Sequence, residues 1–287
     1  MNYRHIYHAG NFADVVKHVV LTLAIERLKL KGAAFRVIDT HAGIGSYDLD
    51  MEAARKTGEW QGGIGRLIGR LAEPIPPEVA PLMARYLEVV AGANRPGELS
   101  RYPGSPAIAR ALLRPQDRLV VNELHPQDAA TLRAAFARDR QTTVMELDGW
   151  IALKALLPPK ERRGLVLIDP PFEVAGEMER LAGALREAVK RFATGTFILW
   201  YPIKDAGRVR RFKRTLKDMG LSKLMVAELS VRADDDPAVL SGTGLAVLNP
   251  PFELEQQLKV LLPFLAKRLA VEPGAGHVIE WLGSAAR

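Results

Sequence analysis

The sequence predicts an α/β fold built on an open, mostly parallel sheet, with a helical segment inserted after the first strand. Three observations predict it. Residues 164–168 (GLVLI) form a short, wholly apolar run, as a strand buried on both faces of a parallel sheet requires, and the run stops at Asp169-Pro170-Pro171-Phe172. Three earlier runs, 35–40, 118–124 and 142–147, also have strand character, and each ends in or beside an acid: Asp39, Glu123 and Asp148. Between the strands lie segments that read as helices, the alternation expected of strand–helix–strand units.

Taken in order, residues 1–18 (MNYRHIYHAGNFADVVKH) hold three of the six histidines, His5, His8 and His18, and His41 follows. Their spacing completes no metal-ligand motif, so no metal is expected and the segment reads as a polar lid over a ligand. Asp14 is the expected N-cap of a helix running to Lys31, with Val15, Val19, Leu23 and Leu28 near helical spacing and Gly32 ending it. The first strand runs into His41-Ala42-Gly43-Ile44-Gly45. A strand followed by G-x-G lets backbone approach a nucleotide-like ligand closely, and it serves equally as a tight turn without one. The third glycine of a dinucleotide fingerprint is missing, since Asp48 stands there.

Residues 46–104 break the rhythm. They read as an inserted helical subdomain, because Trp60, Leu67, Ile68, Leu71, Leu82 and Leu87 need burial. The sheet domain is then 1–45 together with 105–287. A helix opens behind Pro106. The second strand, 118–124 (RLVVNEL), sets Glu123 at its carboxyl end, where a carboxylate can accept both hydroxyls of a ribose. A helix over 128–140 leads to the third strand and its terminus, Asp148-Gly149, an acid able to accept from an adenine amine.

After the DPPF segment the spacing predicts a helix over 178–192 and a strand over 195–201 closed by Pro202. A basic helix, 208–217 (RVRRFKRTLK), has Val209, Phe212 and Leu216 as its apolar side. Its cations Arg210, Arg211 and Lys213 read either as a solvated face or as a phosphate-tracking surface. Strands over 224–232 and 245–248 are expected to pair antiparallel, the second ending in Asn249-Pro250-Pro251-Phe252. A helix and a strand over 277–282 follow.

The two prolines at 170 and 171 remove backbone donors and fix φ, so the strand before them must stop and leave a rigid ledge. Asp169 and the Pro170 carbonyl can accept both hydrogens of an exocyclic amine, while Phe172 stacks on the ring that carries it. Composition narrows the partners. Lys and Arg number 40 against 33 Asp and Glu, a net charge of +7 that favours a polyanion. There is no cysteine, which excludes disulfides, thiolate metal sites and cysteine nucleophiles. No apolar run reaches membrane length and the opening residues lack a signal-peptide core, so a cytoplasmic protein is expected.

The order strand, G-x-G, strand–Glu, strand–Asp, strand–DPPF is the plan of a Rossmann-like class I S-adenosylmethionine-dependent methyltransferase sheet. The segments YRHIYHAGNFADVVKH, IDTHAGIG, RYPGSPAIAR, NELHP, DGW, RRGLVLIDPPFE, KRFATG, LWYP and LNPPFELEQQ span nearly the whole chain. They resemble, in order, the bacterial 23S ribosomal RNA (adenine-N6)-methyltransferases. The resemblance implies methyl transfer from S-adenosyl-L-methionine to N6 of one adenosine in 23S ribosomal RNA; a monomer is expected. It implies that His18, His41, Ser105, Glu123, Asp148 and Gly149 contact the cofactor, joined by Gly43 of the G-x-G turn. It puts Asp169 at the catalytic acid position and Tyr3, beside Arg4, on the RNA side. The family's ledge often ends in Tyr; Phe172 keeps the stacking face and lacks the hydroxyl.

Three rivals share parts of this pattern. An adenine-N6 DNA methyltransferase has the same ledge and cofactor. A non-catalytic RNA-binding assembly factor on the same fold predicts damaged strand-end acids, and here they are intact. Methylation of a protein amide would use an N-P-P ledge, which Asn249 offers.

Overall fold

The computed structural model describes residues 5–69, 72–234 and 236–283. Helix α1 (Phe12–Lys29) leads into β1 (Arg36–Asp39). Then come β2 (Ser46–Asp48), α2 (Glu52–Thr57), α3 (Glu59–Gly62), α4 (Ala80–Gly92), β3 (Arg101–Pro103) and α5 (Ser105–Leu112). The central units are β4 (Arg118–Asn122), α6 (Pro126–Ala135), β5 (Thr142–Met145), α7 (Gly149–Leu156), β6 (Gly164–Ile168), α8 (Glu177–Arg191) and β7 (Thr196–Ile203). The chain finishes with α9 (Ala206–Asp218), β8 (Leu224–Ser230), β9 (Gly242–Leu248), α10 (Leu254–Leu269) and β10 (Gly276–Trp281).

Eight strands form one sheet in the order β10-β8-β9-β7-β6-β1-β4-β5. From β5 to β7 every pairing is parallel. The chain winds outward from β1 through β4 to β5, then returns to β6 on the other side of β1. That reversal opens a crevice at the carboxyl ends of the strands, where ligands of such sheets bind. β9 is antiparallel to β7 and β8, and β10 pairs antiparallel with β8. All five residues of β6 are buried, which is why its sequence is apolar throughout and not alternating.

Four local expectations need correction. Asn11, not Asp14, caps α1: its side chain accepts from the Asp14 N–H, and Asp14 turns inward to pair with Lys17. Strand β7 runs through Pro202, which lies opposite Thr243 of β9. The pairing with β6 has already ended at Leu199, so the missing N–H of Pro202 deprives no partner on that side. Asp148 and Gly149 do not merely end a strand; they open α7, with Asp148 accepting from the N–H groups of Trp150 (2.8 Å) and Ile151 (3.2 Å). The segment 46–104 also contains a small antiparallel pair, β2 with β3, that sets Tyr47 opposite Tyr102.

Ile64, Leu67, Met83, Tyr86 and Val90 from that segment are buried in one apolar cluster with Val15, Val19 and Ile25 of α1 and with the sheet. Trp60, Ile68, Leu82 and Leu87 pack against the cluster, and Leu71 lies outside the described residues. As expected, Val209, Phe212 and Leu216 form the buried side of α9.

Candidate active site

Two cavities meet at Asp169, immediately after β6. One is a cleft of about 300 Å³ over the carboxyl ends of β1, β4 and β5. His18, His41, Gly43, Ser105, Glu123, Asp148, Gly149 and Asp169 all line it, so the fold brings together every residue expected to touch the cofactor. They come from α1, the β1 turn, the start of α5, and the ends of β4, β5 and β6.

The acids are held in distinct ways. Glu123 accepts from the Gly43 N–H and the His125 N–H, each at 2.8 Å, so it clasps the G-x-G turn to the end of β4. Burial raises its carboxyl above the usual range. One oxygen of Asp148 caps α7 and the other receives Arg180 at 3.2 Å. Asp39 lies beneath the cleft, where the Ser105 hydroxyl donates to it at 2.6 Å; burial pushes its carboxyl up to about 6 despite that bond. At Gly149 a Cβ would sit 2.5 Å from His41 Nε2 and 2.9 Å from the Thr40 carbonyl, so only glycine lets β5 turn this close to β1.

His18 is buried with Nδ1 2.7 Å from the Tyr102 hydroxyl, which lies 3.1 Å from that of Tyr86. Its Nε2 is buried without a hydrogen-bond partner, 3.9 Å from Asp14 Oδ1, on a side chain that lines the cleft. Burial holds this ring down to about 3, so it is neutral at physiological pH.

Lys17 is the residue that sequence reasoning missed. Its ammonium pairs with Asp169 Oδ2 and, at 2.8 Å, with Asp14 Oδ1. Asp14 also takes His5 Nε2 at 2.9 Å and the Gly10 N–H. Burial alone would lower the Lys17 ammonium; Asp14 and Asp169 overcome it and hold the group well above its ordinary value. Burial would likewise raise Asp14, but His5 and Lys17 hold it well below the carboxylate range. The available signal was DVVKHVV, a cation set among valines in a helix buried on all sides there. Trp150 was also missed: it lines the cleft, with the Arg180 guanidinium 5.0 Å above its ring.

The second cavity is a groove of about 1130 Å³ on the other side of Asp169. Phe172 and Trp200 line it, their rings meeting edge to face with centroids 5.5 Å apart. Phe172 adopts φ +52°, a left-handed turn that swings its side chain out of the strand direction after the prolines. Pro171 lines both cavities, whereas Pro170 is buried and lines neither, so the expected pair of amine acceptors is represented on the walls by Asp169 alone.

The residues expected on the RNA side divide. Arg210 and Arg211 are exposed on α9, but only Arg211 lines the groove. Lys213 is withdrawn: it pairs with Glu228 (3.3 Å) and Glu280 (2.7 Å), because its place beside the buried Phe212 turns it toward β8 and β10. Tyr3 and Arg4 lie outside the described residues. Of the lid, His5 lines both cavities and His8 pairs with Glu59 at 3.0 Å. Among the described residues no helix is long and apolar enough to cross a membrane.

Residues 32–283 match the family described as ribosomal RNA large subunit methyltransferase D, RlmJ. Two relatives named ribosomal RNA large subunit methyltransferase J, from Haemophilus influenzae and Escherichia coli, are each 44% identical over 283 residues. The alignments cover 98% of this chain and 99% of each relative. A crystal structure of a Legionella pneumophila protein superposes with a TM-score of 0.84 at 33% identity, covering 95% of this chain and 98% of that one.

Proposed function

The chain belongs to the ribosomal RNA large-subunit methyltransferase family, and from that premise we propose that it methylates the N6 amine of one adenosine in 23S ribosomal RNA, with S-adenosyl-L-methionine as methyl donor. One observation carries the reading: a cleft with the polar groups a nucleoside cofactor needs and a wider groove with a half-buried aromatic, Phe172, meet at Asp169, which lines both. A cytoplasmic site of action suits a ribosomal RNA substrate.

The cleft residues fit the cofactor. Glu123 retains lone pairs beyond its two backbone bonds for vicinal ribose hydroxyls. The buried Nε2 of His18 is the group left without a hydrogen-bond partner; in the tautomer whose Nδ1 accepts from Tyr102, it carries the proton and can donate into the cleft. Asp148, Gly149 and Trp150 supply a polar edge and a flat face for the adenine. When bound, S-adenosylmethionine supplies an electrophilic methyl on a sulfonium.

The chain then works by positioning and electrostatics. Extruding a stacked adenine costs a few kcal/mol unless the site is already unpaired. Phe172 offers the base a stacking face in return. Lys17 fixes Asp169 by one oxygen, leaving Oδ1 to accept an N6 hydrogen and aim the nitrogen lone pair into the cleft. Asp169 or water takes the departing proton.

Mass spectrometry of 23S ribosomal RNA nucleosides, with and without the gene, tests the reading. N6-methyladenosine should drop by one per 23S molecule in its absence; an unchanged content would reject it. Transfer by purified protein to RNA and to DNA of the same sequence separates the DNA-directed alternative.

A further inference from the structure

The groove beside Phe172 is larger than one base requires, and both cations and acids line it. Its volume of about 1130 Å³ lies above the range of roughly 300–1,000 Å³ typical of sites that enclose a single small molecule. Lys204, Arg208 and Arg211 line it where β7 ends and α9 begins. Among the described residues neither Lys204 nor Arg211 has an ion-pair partner, and Arg208 has only Asp205 at 3.7 Å. Glu173, Glu177 and Glu179, after the DPPF segment and in the first turn of α8, line the groove too. The sequence of α9 dictates this: burying Val209, Phe212 and Leu216 leaves Arg208 and Arg211, three apart, side by side on the groove.

Two aromatic rings line the same groove in fixed attitudes. Trp200 donates from Nε1 to the Thr243 hydroxyl at 2.7 Å, which locks the indole, and the Phe172 ring meets it at 68°. Neighbouring bases in a helical stack are parallel. Two platforms at this angle cannot serve such a stack; they can serve bases that have been splayed apart.

We propose that the groove holds an unpaired RNA strand of at least two nucleotides, the target base on Phe172, its neighbour against Trp200, and the linking phosphates along Lys204, Arg208 and Arg211. This rests on the reading of the protein as an RNA adenine methyltransferase. Glu173, Glu177 and Glu179 repel phosphates and so favour the strand's backbone on the α9 side.

The test compares two double variants of α9 that remove equal charge, Arg208→Ala/Arg211→Ala on the groove and Arg214→Ala/Lys217→Ala beyond it. Anisotropy with a fluorescent single-stranded oligoribonucleotide, and with its duplex, is measured from low to high salt. Loss of two phosphate contacts should flatten the slope of log K against log salt by about 1.4, and the distal pair should change it by less than about 0.5. The single strand should bind roughly tenfold or more tighter than the duplex. Equal flattening by both variants, or a duplex bound as tightly, would overturn the proposal. Methyl transfer by the unaltered protein, assayed in parallel, reports separately on the enzymatic reading: its failure would not alter the binding slopes, nor would theirs alter it.

Discussion

Lys17 and Asp169, 152 residues apart in the chain, form a buried ion pair at the point where the two cavities join. Because the same ammonium binds Asp14, the lid segment, α1 and the end of β6 are tied through one charge. Lys17→Met would leave two carboxylates near one another in a low-dielectric site without their counter-ion. Removing one partner from a buried pair costs about 3–5 kcal/mol, so urea denaturation should show a loss of that order, and single-turnover rates should fall as Asp169 loses its anchor. Lys17 is raised above its ordinary value near 10.5, so its contribution is complete below that pH and is lost only as pH rises further. A Met variant as stable as the parent at pH 7 would mean that the pair contributes nothing.

His18 gives the opposite pH dependence. Its ring is held at about 3 when folded, against 6.5 when free. Between these values the unfolded chain binds a proton that the folded chain refuses, so the contribution is intact above 6.5 and declines as pH falls. From pH 7 to 4.5 this amounts to roughly 2–3 kcal/mol. Urea midpoints at the two pH values should diverge less in His18→Gln than in the parent; identical divergence would remove His18 from the acid response.

Glu123 should be worth about 1.5–3 kcal/mol of cofactor affinity, the usual value of hydrogen bonds to a charged group. Glu123→Ala also frees the Gly43 and His125 N–H groups, so loosening of the turn adds to the loss. Isothermal titration with S-adenosylmethionine on a variant shown to be folded decides it, and an unchanged affinity would take Glu123 out of the site.

Phe172→Ala should cost roughly 1–3 kcal/mol of base binding, and Phe172→Tyr little. Alanine at φ +52° bears the same backbone strain as phenylalanine, so the difference reports on the ring. Normal methylation by the alanine variant would mean that the base stacks elsewhere.

The strands were legible wherever burial on both faces forced continuous apolar runs, as in β6, and the acids that end them marked the cleft before any coordinates did. What remained hidden needed contacts between distant segments. Lys17 reads as one more cation until α1 is laid against the end of β6. Lys213 looks equal to Arg211 until β8 and β10 bring Glu228 and Glu280 beneath it. The β2–β3 pair has three residues to a strand, too few for periodicity to register.

Two nearly identical ledges, Asp169-Pro-Pro-Phe172 and Asn249-Pro-Pro-Phe252, put the mechanism to its sharpest test. Local chemistry favours neither, since Asp and Asn both accept from an amine. Topology separates them: β9 runs antiparallel to β7, which is parallel to β6, so Asn249 lies at the edge of the sheet opposite Asp169. There its side-chain amide donates to the Ala193 and Gly195 carbonyls, both at 2.8 Å, and secures the entry to β7. Phe252 is exposed and lies 5.0 Å under the Arg27 guanidinium. Asp169→Ala should therefore lower methylation by roughly 10²-fold or more, the scale of losing one preorganised polar contact to the reacting group. Asn249→Ala should cost about 1–3 kcal/mol of stability for two lost hydrogen bonds and leave the single-turnover rate intact. Both variants are assayed under single turnover with folding checked by circular dichroism. An active Asp169→Ala beside an inactive, folded Asn249→Ala would move the chemistry to the other edge of the sheet and overturn the mechanism.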